Sequence, residues 1–205
     1  MRIPILFEIK NKTVIAVGGG AIAVKKIKPL FEAGADITLI APELHPDLQV
    51  LYENGEIKWQ ERMVQEGERF DSSILLLMTE KAELNQSLYE NKQPNQLVYI
   101  VNNAEKSDFH FPAVLKKGQL TIALSTNGAS PIYAKRLKKQ LEEHLPRDVE
   151  EDLAFLDQAR KRILAYPLTA KQKKELLQQI TLEEFLREEN RQQLFETMLE
   201  TIQST

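Results

Sequence analysis

A chain of 205 residues, 42% hydrophobic and 28% charged, is long enough to bury a core and polar enough to stay in solution as one or two domains. Its formal charge of −3 argues against general nucleic-acid binding, and the lack of any cysteine excludes disulfides, iron–sulfur clusters and thiolate zinc. No apolar run approaches the roughly eighteen residues of a membrane span, and the start MRIPILFEIK has no signal-peptide core or cleavage site, so a cytoplasmic location is expected.

Residues 14–24, VIAVGGGAIAV, carry the first strong signal: an apolar strand runs straight into a glycine turn reading Gly18-x-Gly20-x-x-Ala23. This is the G-x-G-x-x-A form of the dinucleotide fingerprint. Gly18 permits the tight turn, Gly20 keeps the backbone bare where a pyrophosphate approaches, and small Ala23 lets the following helix pack closely on the strand. The phosphates are then expected over Gly18, Gly19, Gly20, Ala21 and Ile22, where unpaired N–H groups at a helix N-terminus favour an anion. The turn Ala33-Gly34-Ala35-Asp36 and a strand from Ile37 to Ile40 complete one βαβ unit. The acidic residue that usually bonds the ribose is missing, since this strand ends in Ala41-Pro42, followed by Glu43. No basic residue stands at that strand end to meet a 2′-phosphate, which favours NAD over NADP. A doubly wound domain with an unused turn is the alternative.

A strand follows around Ile57 to Arg62, then SILLLM at 73–78, a polar helix from Lys81 to about Asn91, and a strand from Leu97 to Val101. SILLLM is apolar without alternation, the pattern of a strand covered on both faces, and it predicts a parallel sheet. Right-handed crossovers make this part doubly wound, with ligands at the C-terminal strand ends: Gly18 to Gly20, Ala41-Pro42, Thr79-Glu80 and Asn102-Asn103. From Phe111-Pro112 the pattern changes. LTIAL at 120–124 reads as a strand, Ser125-Thr126-Asn127-Gly128-Ala129 as a polar loop, and Ser130-Pro131 as the N-cap and first residue of a helix running to Leu145-Pro146. Only helices follow, and capping-box spacing at Thr169-x-x-Gln172 and Thr181-x-x-Glu184 predicts two short ones after Tyr166-Pro167.

The loop Ser125, Thr126, Asn127, Gly128 to Ser130 offers hydroxyls and amides ahead of a helix N-terminus, which suits a substrate carboxylate; a plain strand-to-helix connection is the other reading. His110, between Phe109 and Phe111, reads as a histidine satisfied by backbone or water, with metal contact or proton transfer as the alternative. His45 and His144 sit beside helix ends and look structural, and no closed metal site is legible. Lys135, Arg136, Lys138 and Lys139 are solvated surface unless the substrate is a polyanion.

Three segments in order resemble one family, the bifunctional precorrin-2 dehydrogenase and sirohydrochlorin ferrochelatase enzymes that form the N-terminal part of siroheme synthases. They are VGGGAIAVKKIKPLFEAGADITLIAPEL (17–44), VNNAEKSDFHFPAVLKKGQLTIALST (101–126) and TNGASPIYAKRLKKQLEEHLP (126–146). The resemblance covers roughly residues 1–146 and, with the pattern of elements, implies an α/β fold: a Rossmann-like NAD-binding domain over 1–112, a dimerisation segment over 113–145 and a helical domain over 146–205 that agrees with the family only in being helical. It also implies a homodimer that oxidises precorrin-2 to sirohydrochlorin with NAD, on the route to siroheme and cobalamin.

One position departs from that pattern. The two-activity members carry an aspartate seven residues before the Phe of their F-x-x-P motif, and counting back from Phe109 reaches Asn102. An amide cannot act as a carboxylate base and is a poorer metal ligand, so a dehydrogenase with weak or absent chelatase activity is expected. The resemblance thus makes Asn102 and Thr126 (at the family's loop-serine position) candidate catalytic residues, and His110 joins them as a residue of the segment expected to line the pocket. Gly18 to Ile22, Ala41, Pro42, Thr79 and Asn102 are expected at the cofactor, and the 125–130 loop at substrate. A two-activity enzyme, another NAD-linked dehydrogenase on the same scaffold, or a non-enzymatic NAD sensor are the rival readings.

Overall fold

Five short segments in the first half of the chain form one parallel sheet: β1 Thr13–Val17, β2 Asp36–Ala41, β3 Lys58–Glu61, β4 Ile74–Leu77 and β5 Leu97–Ile100. Their order is β3-β2-β1-β4-β5, so the direction of winding reverses between β1 and β4. In this computed structural model, which describes residues 2–203, the sheet lies in one compact unit, Met1–Phe111, and the remainder forms a second, Pro112–Thr205. Helices α1 Ala21–Glu32, α2 Pro46–Glu53 and α3 Ala82–Glu90 connect the strands.

The apolar run of β4 is explained by burial on both faces. Ile74 and Leu76 join Val14, Ala16, Ile27 of α1 and Leu48 of α2 in one core, while Leu75 and Leu77 join Val17, Val98 and Leu88 of α3 in another. Each such leucine removed from water contributes about 2 kcal/mol. The architecture is the expected doubly wound, Rossmann-like α/β sheet.

Two connections lie outside what the sequence reading assigned. Helix α2 has no strong periodic signal; His45 starts it as the N-cap, its Nδ1 accepting from the Asp47 backbone N–H at 3.3 Å, with Pro46 in the first turn. Between β3 and β4 there is no helix. Residues 62–73 instead form a loop held by Gln96, whose Nε2 donates to the carbonyls of Phe70 and Ser72, both at 3.0 Å. At the outer edge of β5 side chains complete the ladder: Val98 N–H donates to Asp108 Oδ2 and Ile100 N–H to Ser107 Oγ, each at 2.9 Å.

In the second unit, β7 Leu120–Leu124 pairs antiparallel with β6 Ala113–Lys117, a strand the sequence did not reveal. AVLKK buries only Leu115 fully, so its alternation is weak. Gly118, at φ 53°, makes the tight turn between the two. Helix α4 Pro131–His144 starts as expected, with Ser130 Oγ accepting from the Tyr133 N–H at 3.2 Å. Helices α5 Val149–Ala165, α6 Ala170–Gln179, α7 Glu183–Leu186 and α8 Arg191–Gln203 follow, three rather than two after Tyr166-Pro167. Phe195, fully buried, centres a core with Ile163, Leu176 and Leu199.

Thr169 forms the expected reciprocal capping box with Gln172 at the start of α6. Thr181 does not cap: Leu182 holds the N-cap position of α7, and the Thr181 hydroxyl turns back to donate to the Gln178 carbonyl at 2.7 Å. That local bond competes with the capping geometry and wins. Thr169→Ala is therefore expected to destabilise the protein by about 1 kcal/mol, and Thr181→Ala by roughly half that or less. Urea-denaturation midpoints of the two variants test the difference.

Candidate functional site

Strand register sets the site. Val17 pairs level with Ile40 and with Leu77, and Leu77 with Ile100, so four C-terminal strand ends finish in one row. Backbone bonds extend the row by one residue: Gly18 N–H to Ile40 O at 3.0 Å, Met78 N–H to Val17 O at 2.8 Å and Val101 N–H to Leu77 O at 2.9 Å. The glycine turn, Ala41-Pro42, Thr79 and Asn102 therefore share one sheet edge beside the winding reversal, where ligands of such sheets bind.

The three glycines differ physically. Gly18 has φ 108°, and a Cβ there would stand 2.7 Å from the Met78 carbonyl oxygen. Gly19 is buried: its Cβ would fall 2.4 Å from the Glu43 carbonyl oxygen and 2.9 Å from Leu44. At Gly20 a Cβ would meet nothing within 4 Å, so this backbone faces open space. Gly20 is also the N-cap of α1, offering no side chain to its first amides, and no acidic residue lies in the first turn. The N–H groups at Ala21 and Ile22 thus present an uncapped positive helix end to that space, while Ala23 is buried against the sheet. These residues fit a dinucleotide pyrophosphate, for which the cradle at Gly20 leaves the room that a Cβ would fill.

At the β2 end the Ala41 carbonyl accepts from Trp59 Nε1 at 2.9 Å and from the Arg62 N–H at 3.3 Å. A basic residue does stand beside this strand end, brought there by β3 rather than by β2, contrary to the sequence reading. Its guanidinium is engaged: Arg62 donates to both Glu68 oxygens at 2.6 and 3.1 Å, to Gln60 Oε1 and to the Met63 carbonyl. The hydrogen bonds from Arg62 hold the Glu68 carboxyl below the usual carboxylate range.

At the β4 and β5 ends a polar chain runs through α3. Thr79 donates its hydroxyl to Asn85 Oδ1 at 2.7 Å, and Asn85 Nδ2 donates to the Thr79 carbonyl at 2.9 Å and to Asn102 Oδ1 at 3.4 Å. Asn85 is fully buried, Asn102 exposed. With Asn103, Ala82, Glu83, Gln86 and Ile100, Asn102 lines a cavity of about 300 Å³. Asn85 escaped the sequence reading; its signal is an amide three residues before Leu88, on the inward face of α3.

His110 is half-buried, and burial together with the Arg2 charge lowers its pKa, which keeps the imidazole neutral at pH 7. Its neighbours Phe109 and Phe111 pack with Tyr99, and Lys26 Nζ lies 4.3 Å from the Phe111 ring centre. Burial first, then Lys25, lowers the Lys26 pKa. His45 caps α2 and His144 bonds the Gln140 carbonyl at 2.7 Å, both structural.

In the second unit the 125–130 loop orders itself. Asn127, at φ 52°, donates its N–H to Ser125 Oγ at 3.1 Å, and Ser130 donates its N–H to Thr126 Oγ1 at 3.1 Å. Both hydroxyl hydrogens stay available for an acceptor, and Gly128 turns the chain at φ 92°. Among the described residues no group of three or more His, Asp or Glu could hold a metal ion.

Gly20→Val is expected to abolish NAD binding with the melting temperature nearly unchanged, because the added side chain enters the cradle from a Cβ that has no protein atom within 4 Å. Gly19→Ala should do the opposite to the fold, lowering stability by about 2 kcal/mol as its Cβ forces the Glu43 backbone away. NAD titration and thermal melts of both variants separate the two effects.

Comparison with known proteins agrees with this geometry. An NAD(P)-binding family matches residues 5–113, and a family described as sirohaem biosynthesis protein central matches 117–144. A precorrin-2 dehydrogenase of Bacillus subtilis is 30% identical over 160 residues, 78% of this chain and 99% of that protein. A siroheme synthase of Zymomonas mobilis is 33% identical over 162 residues, but this chain spans only 34% of its length. The solved structure of SirC, a precorrin-2 dehydrogenase, superposes with a TM-score of 0.85 at 26% identity, covering 98% of this chain and 100% of that one. The NAD(P)-binding match over residues 5–113, the 30% identity across 99% of a precorrin-2 dehydrogenase and the superposition on SirC place the chain in the precorrin-2 dehydrogenase and siroheme synthase family.

Proposed function

We propose that the protein oxidises precorrin-2 to sirohydrochlorin with NAD as hydride acceptor, in siroheme and related tetrapyrrole biosynthesis. The observation that carries this reading is the open, uncapped cradle at Gly20, in a chain that matches a precorrin-2 dehydrogenase over 99% of that protein's length. NAD supplies the two-electron acceptor when bound. The chain's own work is binding, orientation and electrostatics.

Gly18, Gly19, Gly20, Ala21 and Ile22 hold the pyrophosphate, Ala41 and Pro42 border the adenosine half, and Thr79 and Asn102 the nicotinamide half. This assignment is supported by the order of the strand ends across the winding reversal. Ser125, Thr126, Asn127, Gly128 and Ser130 take a substrate carboxylate through hydroxyl and amide donors. Asn102 and His110 are the catalytic candidates of the first unit and Thr126 that of the second, and the proton that accompanies hydride loss passes to water. Anaerobic mixing of precorrin-2 with NAD is expected to yield NADH and sirohydrochlorin in equal amounts. NAD binding without turnover would favour a sensor instead.

The neutral amide of Asn102 supports weak or absent chelatase activity, since it brings no negative charge to attract Fe²⁺. Iron insertion into sirohydrochlorin is expected to stay near the uncatalysed rate. Rapid siroheme formation from sirohydrochlorin and Fe²⁺ by the unaltered protein would overturn this part of the reading.

A cytoplasmic homodimer completes the proposal, with residues 113–145 as the contact. Val114, Ile132, Tyr133 and Leu141 in that segment are exposed apolar side chains, Ile132 to 81%. Light scattering at micromolar concentration is expected to give about twice 23.5 kDa; a persistent monomer would remove the assignment.

A further inference from the structure

The polar chain through Asn85 fixes more than the packing of α3. A backbone carbonyl can only accept, so the Asn85 atom 2.9 Å from the Thr79 oxygen is its nitrogen. That orientation turns Asn85 Oδ1 to the Thr79 hydroxyl, which donates at 2.7 Å. The second N–H of Asn85 then points at Asn102, and the atom facing it has to be the acceptor, Oδ1, at 3.4 Å. Asn102 Nδ2 consequently points away from Asn85 and has no hydrogen-bond partner among the described residues. The side chain that carries it lines the 300 Å³ cavity at the end of β5.

We propose that Asn85 is a positioning residue that turns the Asn102 amide so that its N–H donors, not its oxygen, meet the bound ligand. The ligand atom recognised is an acceptor oxygen. Two sources share that chemistry, the carboxamide of a nicotinamide and a carboxylate of the tetrapyrrole, and for their identity the inference rests on the dehydrogenase reading. Asn85 touches neither ligand. It is fully buried, with every polar atom of its side chain committed to the strand ends.

The test measures the dissociation constants of NAD and of precorrin-2, separately and without turnover, for the wild type, Asn85→Ala, Asn102→Leu and the double variant. One hydrogen bond to the ligand predicts a loss of about 5- to 10-fold for one ligand in Asn102→Leu, with the other nearly unchanged; which ligand responds names the source. Asn85→Ala should weaken the same ligand, and should add nothing in the Asn102→Leu background. A purely structural Asn85 would lower the melting temperature equally in both backgrounds and weaken binding additively, which overturns the proposal. If Asn85→Ala does not fold, Asn102→Asp decides: it offers only acceptors, and wild-type affinity for both ligands in that variant overturns the proposal. Absence of turnover in the wild type would defeat the dehydrogenase reading alone, because the binding measurements do not need it.

Discussion

Close backbone approach at the end of β1 is the constraint on which the nucleotide unit depends. The turn after Val17 passes within contact of the Met78 carbonyl on one side and the Glu43 carbonyl on the other. Only residues without a Cβ fit at Gly18 and Gly19. This contact pins β1 to both its neighbours, sends α1 off at an angle that buries Ala23 and Ile27, and leaves the third glycine outside the packing. Packing thus requires two glycines of the fingerprint and leaves the backbone of the third facing open space.

From that anchor the parallel register does the positioning. Because four strands end level, loops distant in sequence converge without long-range adjustment, and α3 needs to supply only one buried amide to tie two of them together. A buried amide left unbonded would cost about 1–3 kcal/mol, so its three hydrogen bonds specify a single arrangement of the β4 and β5 ends. Arg62 and Glu68 play the corresponding part on the other flank, closing a loop that has no helix of its own.

The sequence was legible where one physical cause dominates. The glycine spacing, the unbroken apolar run of β4 and the Ser130-Pro131 helix start each reflect a local requirement, and each appears in the structure as read. Legibility failed where spatial neighbours decide. Thr181 has capping spacing but a nearer carbonyl. Arg62 is remote from Ala41 along the chain, yet β3 sets it alongside. Lys116 and Lys117 dilute the apolar pattern of β6, whose pairing with β7 needs the turn at Gly118. Asn85 looks like an ordinary helix-surface amide until the fold turns it inward.

The two outer edges of the sheet are closed by different means. On β3, Lys58 and Glu61 put charges along the free edge, and Lys58 is tied to Asp36 at 2.8 Å. On β5, Asp108 and Ser107 occupy the backbone N–H groups that a further strand would need. An incoming strand would therefore meet charge on one side and already-satisfied donors on the other. Extension of the five-stranded sheet from copy to copy, the route by which exposed edges drive open-ended aggregation, is blocked at both of its borders, so a second copy cannot join this sheet as a further strand.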